Sequence, residues 1–176
     1  MDSAILKSDT ISGNLEIIEA EHATIHDGTH FTVSVLATTS SYLTLAYTTP
    51  ASTTRKRIHL VYAANADKAG VVTFYEAGSV SAGSSITAIN NDRESATTDP
   101  GTWKKDPTIT TWGSALETHS LGTSQNTPAR PGGGANARNE WYLKYNTTYI
   151  LRFAADTATT RTEITVPFYY RQEPTV

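Results

Sequence analysis

His30-Phe31-Thr32-Val33-Ser34-Val35 (HFTVSV) places Phe31, Val33 and Val35 on one face of an extended chain and His30, Thr32 and Ser34 on the other. Successive side chains of a strand point to opposite faces, so this stretch predicts a strand with one buried side. Tyr149 to Phe153 (YILRF) repeats the pattern with Tyr149, Leu151 and Phe153. The two strands between them supply two inward faces, the minimum for a packed sandwich. Thr162 to Tyr170 is a third instance, with Ile164, Val166, Phe168 and Tyr170 on one face and Pro167 on the other. Proline has no N–H to give to a ladder, so this strand is expected at an edge or with a bulge at Pro167.

Outward from these segments, short alternating runs recur between clusters of turn residues, the pattern of an all-β sandwich or barrel. Strands are expected at Leu15 to Glu19, Thr24 to His26, His30 to Leu36, Tyr42 to Tyr47, Arg57 to Ala63, Val71 to Glu76 and Ile86 to Asn90. Further strands are expected at Thr108 to Thr111, Glu140 to Lys144, Tyr149 to Ala154 and Thr162 to Tyr170, and no segment reads as a helix. Asp27-Gly28 predicts a tight type I′ hairpin, because both central residues of that turn need positive φ. Asp99-Pro100-Gly101 predicts a second turn. Residues 1–14 read as a polar N-terminal arm, and 15–176 as a single domain interrupted by the Gly/Pro loop 120–139 (SLGTSQNTPARPGGGANARN). A loop of that length in a compact domain is functional or flexible.

Composition agrees. Of 176 residues, 30 are Thr and 15 are Ser, and β-branched Thr favours extended backbone on wet and half-buried faces alike. There is no cysteine, which excludes disulfide scaffolds, cysteine zinc sites and thiol nucleophiles. The net charge is −3, and the one basic cluster, Arg55 to Arg57, is too short to track phosphates, so no nucleic-acid partner is expected. No stretch approaches the ~20 apolar residues of a membrane span, and none near the N-terminus suits a signal peptide. The chain is therefore expected to fold in the cytoplasm and to need no membrane.

Motifs of catalysis are missing: there is no GxSxG, no HExxH, and Gly132 to Gly134 is not followed by Lys-Ser or Lys-Thr. His22, His26 and His30 recur at intervals of four, which on a helix would stack imidazoles and suit a metal. With Asp27-Gly28 set as a hairpin they need not converge, so structural or exposed histidines are expected and no metal or cofactor. Asp92 and Glu94 form an alternate pair of the kind glycosidases use, but any all-β chain offers such pairs by chance. No enzymatic role is expected. Trp103, Trp112 and Trp141 lie near expected loops, where an exposed indole can hold a sugar ring or anchor a partner. Trp103, followed by Lys104, Lys105 and Asp106, is the one most expected in a hydrophilic loop. Asn146-Thr147-Thr148 matches a glycosylation sequon and is read as a turn.

Three segments in order, Ile18 to Phe31 (IEAEHATIHDGTHF), Ile86 to Thr98 (ITAINNDRESATT) and Gly133 to Phe153 (GGANARNEWYLKYNTTYILRF), together with the aromatics Phe168 to Tyr170, resemble a family of tailed-phage virion proteins. These are the capsid decoration, or cement, proteins of the β-sandwich kind, attached to the outside of the head. The matching stretches cover about a third of the chain, which departs from the pattern in length at Thr97 to Lys105 and Ser120 to Arg130. The resemblance implies a jelly-roll-like antiparallel sandwich, a homotrimer, a location on the outer capsid surface of the virion, and the major capsid protein as partner. It implies no catalytic residues. On that reading the candidate contacts with capsid or sister subunits are Ile5, Leu6 and Lys7 of the arm, Trp103 and Lys104, and Arg130, Arg138 and Asn139 of the long loop. The rival expectation is a carbohydrate-binding β-sandwich of a fibre or spike, using Trp103 or Trp112 to hold surface glycans.

Overall fold

The computed structural model describes residues 4–8, 15–51, 56–121, 140–156 and 160–172. In chain order the elements are β1 (Ala4–Ser8), β2 (Leu15–Glu19), α1 (Ala20–His26), β3 (His30–Ser40), β4 (Tyr42–Thr48), β5 (Lys56–Leu60), β6 (Ala63–Ala66), β7 (Gly70–Glu76) and β8 (Ser79–Ser81). They continue with β9 (Ser84–Ile86), β10 (Ile89–Asn90), β11 (Thr102–Lys105), β12 (Thr108–Thr111), β13 (Ser114–Leu121), β14 (Trp141–Leu143), β15 (Thr148–Ala155) and β16 (Thr160–Gln172). Two six-stranded sheets form the layers. One runs β10-β3-β16-β5-β14 with β6 also paired to β16, the other β13-β7-β15-β4-β11-β9, and every pairing is antiparallel.

The two strands β5 and β6 share one register along β16, so they count as one strand of the frame. The frame strands in chain order are then β3, β4, β5/β6, β7, β13, β14, β15 and β16. The first, eighth, third and sixth make one sheet, and the second, seventh, fourth and fifth the other. This is the two-Greek-key order of a jelly roll.

The three alternating segments supply the core as expected. Phe31 and Val33 of β3 and Ile164, Val166, Phe168 and Tyr170 of β16 face Leu43, Leu45 and Tyr47 of β4 and Leu151 and Phe153 of β15, all buried. Full burial of such a side chain stabilises by roughly 1.5–3 kcal/mol. Phe31 and Phe168 stack at 5.6 Å, directly opposite each other in register.

Five expectations are corrected. The segment Thr24 to His26 is helical, the end of α1, and Asp27-Gly28 is its C-cap rather than a hairpin turn. Gly28 N–H donates to Ile25 O (2.9 Å) and Thr29 N–H to Thr24 O (2.9 Å), the paired bonds of a Schellman motif, with Gly28 at φ +64°. A hairpin and a helix cap both demand a left-handed glycine, so the dipeptide does not distinguish them. The strand β16 is not an edge: it lies between β3 and β5/β6. Pro167 carries no register shift, which falls instead between Thr160 and Thr162. Its missing N–H points at the interruption between β5 and β6, where Val61 N–H donates to Pro167 O at 3.0 Å. Ile86 to Asn90 is not one strand but parts of two, β9 and β10, in different sheets. Arg57 to Ala63 is likewise divided between β5 and β6. Strands β1, β8, β11 and β13, all short or polar, were not expected as strands: β1 falls in the expected polar arm and β11 where a hydrophilic loop was expected.

The excursion from β7 to β13, residues 77–113, positions the site. Gly78, which leads into the β8–β12 ribbon, packs on the outer face of the second sheet, its N–H donating to Thr148 O at 3.1 Å. Ile150 points outward on β15 and is nonetheless fully buried, and a Cβ at Gly78 would stand 2.4 Å from Ile150 Cδ1. Strands β11 and β9 extend the second sheet past β4, and β10 extends the first past β3. The excursion thereby spans one open edge of the sandwich. At the other extreme of the chain, β1 and β2 form an antiparallel ribbon of their own, in register from Ala4 opposite Glu19 to Ser8 opposite Leu15.

Candidate functional site

Where the excursion passes from β9 and β10 to β11 it leaves a groove of about 220 Å³. Ile86 and Ala88 give it an apolar side, the exposed hydroxyls of Ser85, Thr87, Thr98 and Thr102 a polar one, and Asp99 and Trp103 line it as well. Asp99 opens the expected Asp-Pro-Gly turn, its Oδ1 accepting Gly101 N–H at 3.0 Å. The same oxygen accepts from Tyr170 OH (2.6 Å) and Tyr47 OH (3.1 Å), and the two phenols are 2.7 Å apart. Tyr47 stacks on Trp103 with centroids 4.4 Å apart and planes 13° from parallel. Thus β4, β11 and β16 hold one aromatic wall behind the turn.

Burial first, and then the adjacent Asp99, push both tyrosine hydroxyls well above the ordinary tyrosine range. They stay protonated donors at any physiological pH. Asp99 Oδ1 is thereby fully engaged, while Oδ2 is buried with no hydrogen-bond partner, and so is Trp103 Nε1. Gly101 permits the arrangement, since a Cβ there would stand 2.3 Å from Tyr47 Cε2.

Trp103 corrects the expectation of a hydrophilic loop: it is 5% exposed, in the middle of a strand paired on both sides. Period-2 alternation explains this, since Trp103 points inward and half-buried Lys104 takes the opposite face. Trp103 therefore presents no exposed indole platform. Ile5, Leu6 and Lys7 sit on β1 opposite Ile18, Ile17 and Glu16. Arg130, Arg138 and Asn139 lie outside the described residues, as does nearly all of the loop 120–139. Trp112 is half-buried on the outer face of the second sheet, 5.2 Å from Tyr75, with the Arg152 guanidinium 4.8 Å over its ring. The same guanidinium is 5.3 Å from the Tyr42 ring, and its Nε is buried without a partner. Trp141 packs on Phe74 and donates to Glu117 Oε2 at 3.3 Å, a structural placement.

The histidines are exposed or structural, but two of them lie on a helix rather than on the expected hairpin. On α1, His22 and His26 converge, with Nε2 atoms 2.9 Å apart, whereas His30 is buried beside Thr24. Two imidazoles are half of a tetrahedral metal set, and no cluster of three or more metal-ligating side chains occurs among the described residues. Asp92 caps a local turn through Glu94 N–H (3.0 Å), so the two carboxylates do not face a shared substrate position on a strand. Asn146 occupies a turn at φ +48°, as expected. A second polar cluster joins His59, which meets Glu140 Oε1 at 2.9 Å and stacks on Tyr169 at 4.8 Å. Tyr142 and His30 continue this row as cross-strand partners on the outer face of the first sheet.

The Asp99 turn was legible in the sequence, but its tyrosine partners, 52 and 71 residues away, were not. No family model, curated protein or solved structure matches the chain.

Proposed function

We propose that this is a structural virion protein that decorates the outer surface of a phage capsid, binding the major capsid protein and its own copies as a homotrimer. The observation that carries the reading is the β1–β2 ribbon. It pairs with no strand of either sandwich sheet among the described residues, and an isolated two-stranded ribbon is marginal in water. Among the described residues neither of its outer edges pairs with a further strand, which leaves it suited to β-augmentation by a partner chain. The resemblance of the sequence to decoration proteins names the partner. The jelly roll is compatible with this, being common to viral capsid and lectin domains, although fold alone does not choose between them. A standard interface needs ~800 Å² per partner, which a sandwich of this size can offer to shell and sister subunits together.

The test is reconstitution. Purified protein added to expanded heads lacking it should bind in a saturable number of copies, with a trimer mass in light scattering. Deleting residues 1–14, which removes β1, should abolish occupancy while the sandwich still melts cooperatively. A stable monomer, or undiminished occupancy after the deletion, overturns the proposal.

A further inference from the structure

On α1, His22 and His26 stand four residues apart, where helical side chains share one face, and both are exposed. Ala23 and Thr24 between them are buried, so the imidazoles occupy the side of the helix turned to solvent. Their Nε2 atoms are 2.9 Å apart. The ring centroids are 4.8 Å apart, less than a head-on meeting of the two nitrogens at that separation would give. The rings therefore meet at an angle, as two ligands of one ion do. Imidazole nitrogens bind a divalent first-row metal at about 2.0–2.1 Å, and two such bonds ending 2.9 Å apart enclose about 90°. A tetrahedral ion would need the nitrogens about 3.3 Å apart. Right angles between neighbouring ligands are those of a tetragonal ion. Nitrogen sites of that shape suit Cu2+ and Ni2+, and Cu2+ stands highest in the divalent affinity order.

We propose that His22 and His26 form a two-imidazole chelate for Cu2+, each binding through Nε2 in neighbouring positions of a tetragonal ion whose other positions are filled by water. Half of a tetrahedral set is thus two adjacent corners of a square one. Without the ion, one Nε2 carries the proton of the shared hydrogen bond; on ligation that ring takes the Nδ1–H tautomer, leaving both Nε2 lone pairs to the metal with no net release of a proton. The chelate closes only while residues 22–26 form a helical turn. A helix of seven residues is too short to be stable alone, so metal binding and the folding of α1 are linked. His30, the third of the series, is buried beside Thr24 and takes no part. The site requires no capsid and no second subunit.

The test is a titration of the full chain with CuCl2, followed by electron paramagnetic resonance and thermal melting, with ZnCl2 in parallel. One equivalent of Cu2+ should give an axial spectrum with the nitrogen splitting of two imidazoles and raise the melting temperature, more than Zn2+ does. His22→Ala and His26→Ala each leave one ligand and no chelate, and should weaken Cu2+ binding about tenfold or more. His119→Gln, away from α1, should leave it unchanged. Splitting from a single nitrogen, a stabilisation by Zn2+ equal to that by Cu2+, or binding by both α1 variants as tight as the parent's means an adventitious ion only, and overturns the proposal. Should either variant not fold, the spectrum and melts of the unaltered protein decide.

Discussion

At Gly101 the absence of a side chain is what lets the Tyr47 ring lie against the Asp99 turn: a Cβ would stand 2.6 Å from the Tyr47 hydroxyl. The ring cannot retreat, being stacked on Trp103 and tilted against Phe168 at 5.3 Å. Gly101→Ala is therefore expected to destabilise the protein by about 1–3 kcal/mol, the cost of overpacking a filled core. The Tyr47 hydroxyl should also be displaced from Asp99, so the loss appears both in the denaturation midpoint and in tyrosine near-ultraviolet dichroism. An unchanged midpoint would mean that the turn moves freely away from the ring. The same residue-level logic accounts for what the sequence concealed. Asp-Pro-Gly announces a turn, but the partners of its carboxylate come from β4 and β16, and no local pattern encodes a contact across 52 or 71 residues.

Among the elements, β7, β14 and β15 are tied at one end by Glu76. Its carboxylate accepts from Lys144 Nζ at 2.7 Å and from Tyr149 OH at 2.9 Å. The Lys144 hydrogen bond is the largest influence on Glu76 and, with that from Tyr149, holds its pKa below the ordinary 4.5 despite an opposing effect of burial. A carboxylate depressed in the folded state contributes stability above its unfolded value and loses it as pH falls through the folded one. The melting temperature should accordingly drop on acidification below about 4.5, and Glu76→Gln should flatten that part of the profile. A variant with the parent's acid limb would show that the tie contributes nothing. Element boundaries were legible where alternation was long, as in β3, β15 and β16. They were illegible in α1, a seven-residue helix whose Asp-Gly cap imitates a hairpin. They failed again in β8, β9 and β11, of three or four residues each, which exist because neighbouring strands accept them.

Across the whole molecule, the tyrosines set an alkaline limit. Burial, in each case the foremost cause, pushes Tyr47, Tyr62, Tyr149 and Tyr170 above the ordinary value of 10.0, and nearby carboxylates add to it. The folded state thus prefers the protonated phenol. Its contribution is complete below pH 10 and is lost as pH rises beyond, because only the unfolded chain can ionise these groups easily. Stability should be level on approach to that value and then fall steeply. Phenolate absorbance should show one cohort of tyrosines titrating normally and another appearing only with unfolding. Nine tyrosines titrating together while the fold persists would contradict this burial.

By itself the sequence determined the class of fold: alternation with period two in HFTVSV, YILRF and TEITVPFYY assigns each strand an inner face, and two such faces must close on each other to leave water. It also placed the Asp99 turn, because proline and glycine act through their own backbone. Only the tertiary structure decided the strand order that makes a jelly roll, the central position of β16 despite Pro167, and the conversion of Asp27-Gly28 from hairpin to helix cap. It alone decided that Trp103 is a core residue stacked on Tyr47. The physical reason is range. Periodicity and turn chemistry are local and are written residue by residue, whereas strand partners, buried unpaired atoms and the meeting of Tyr47, Asp99 and Tyr170 depend on which distant segments the closed sandwich brings together.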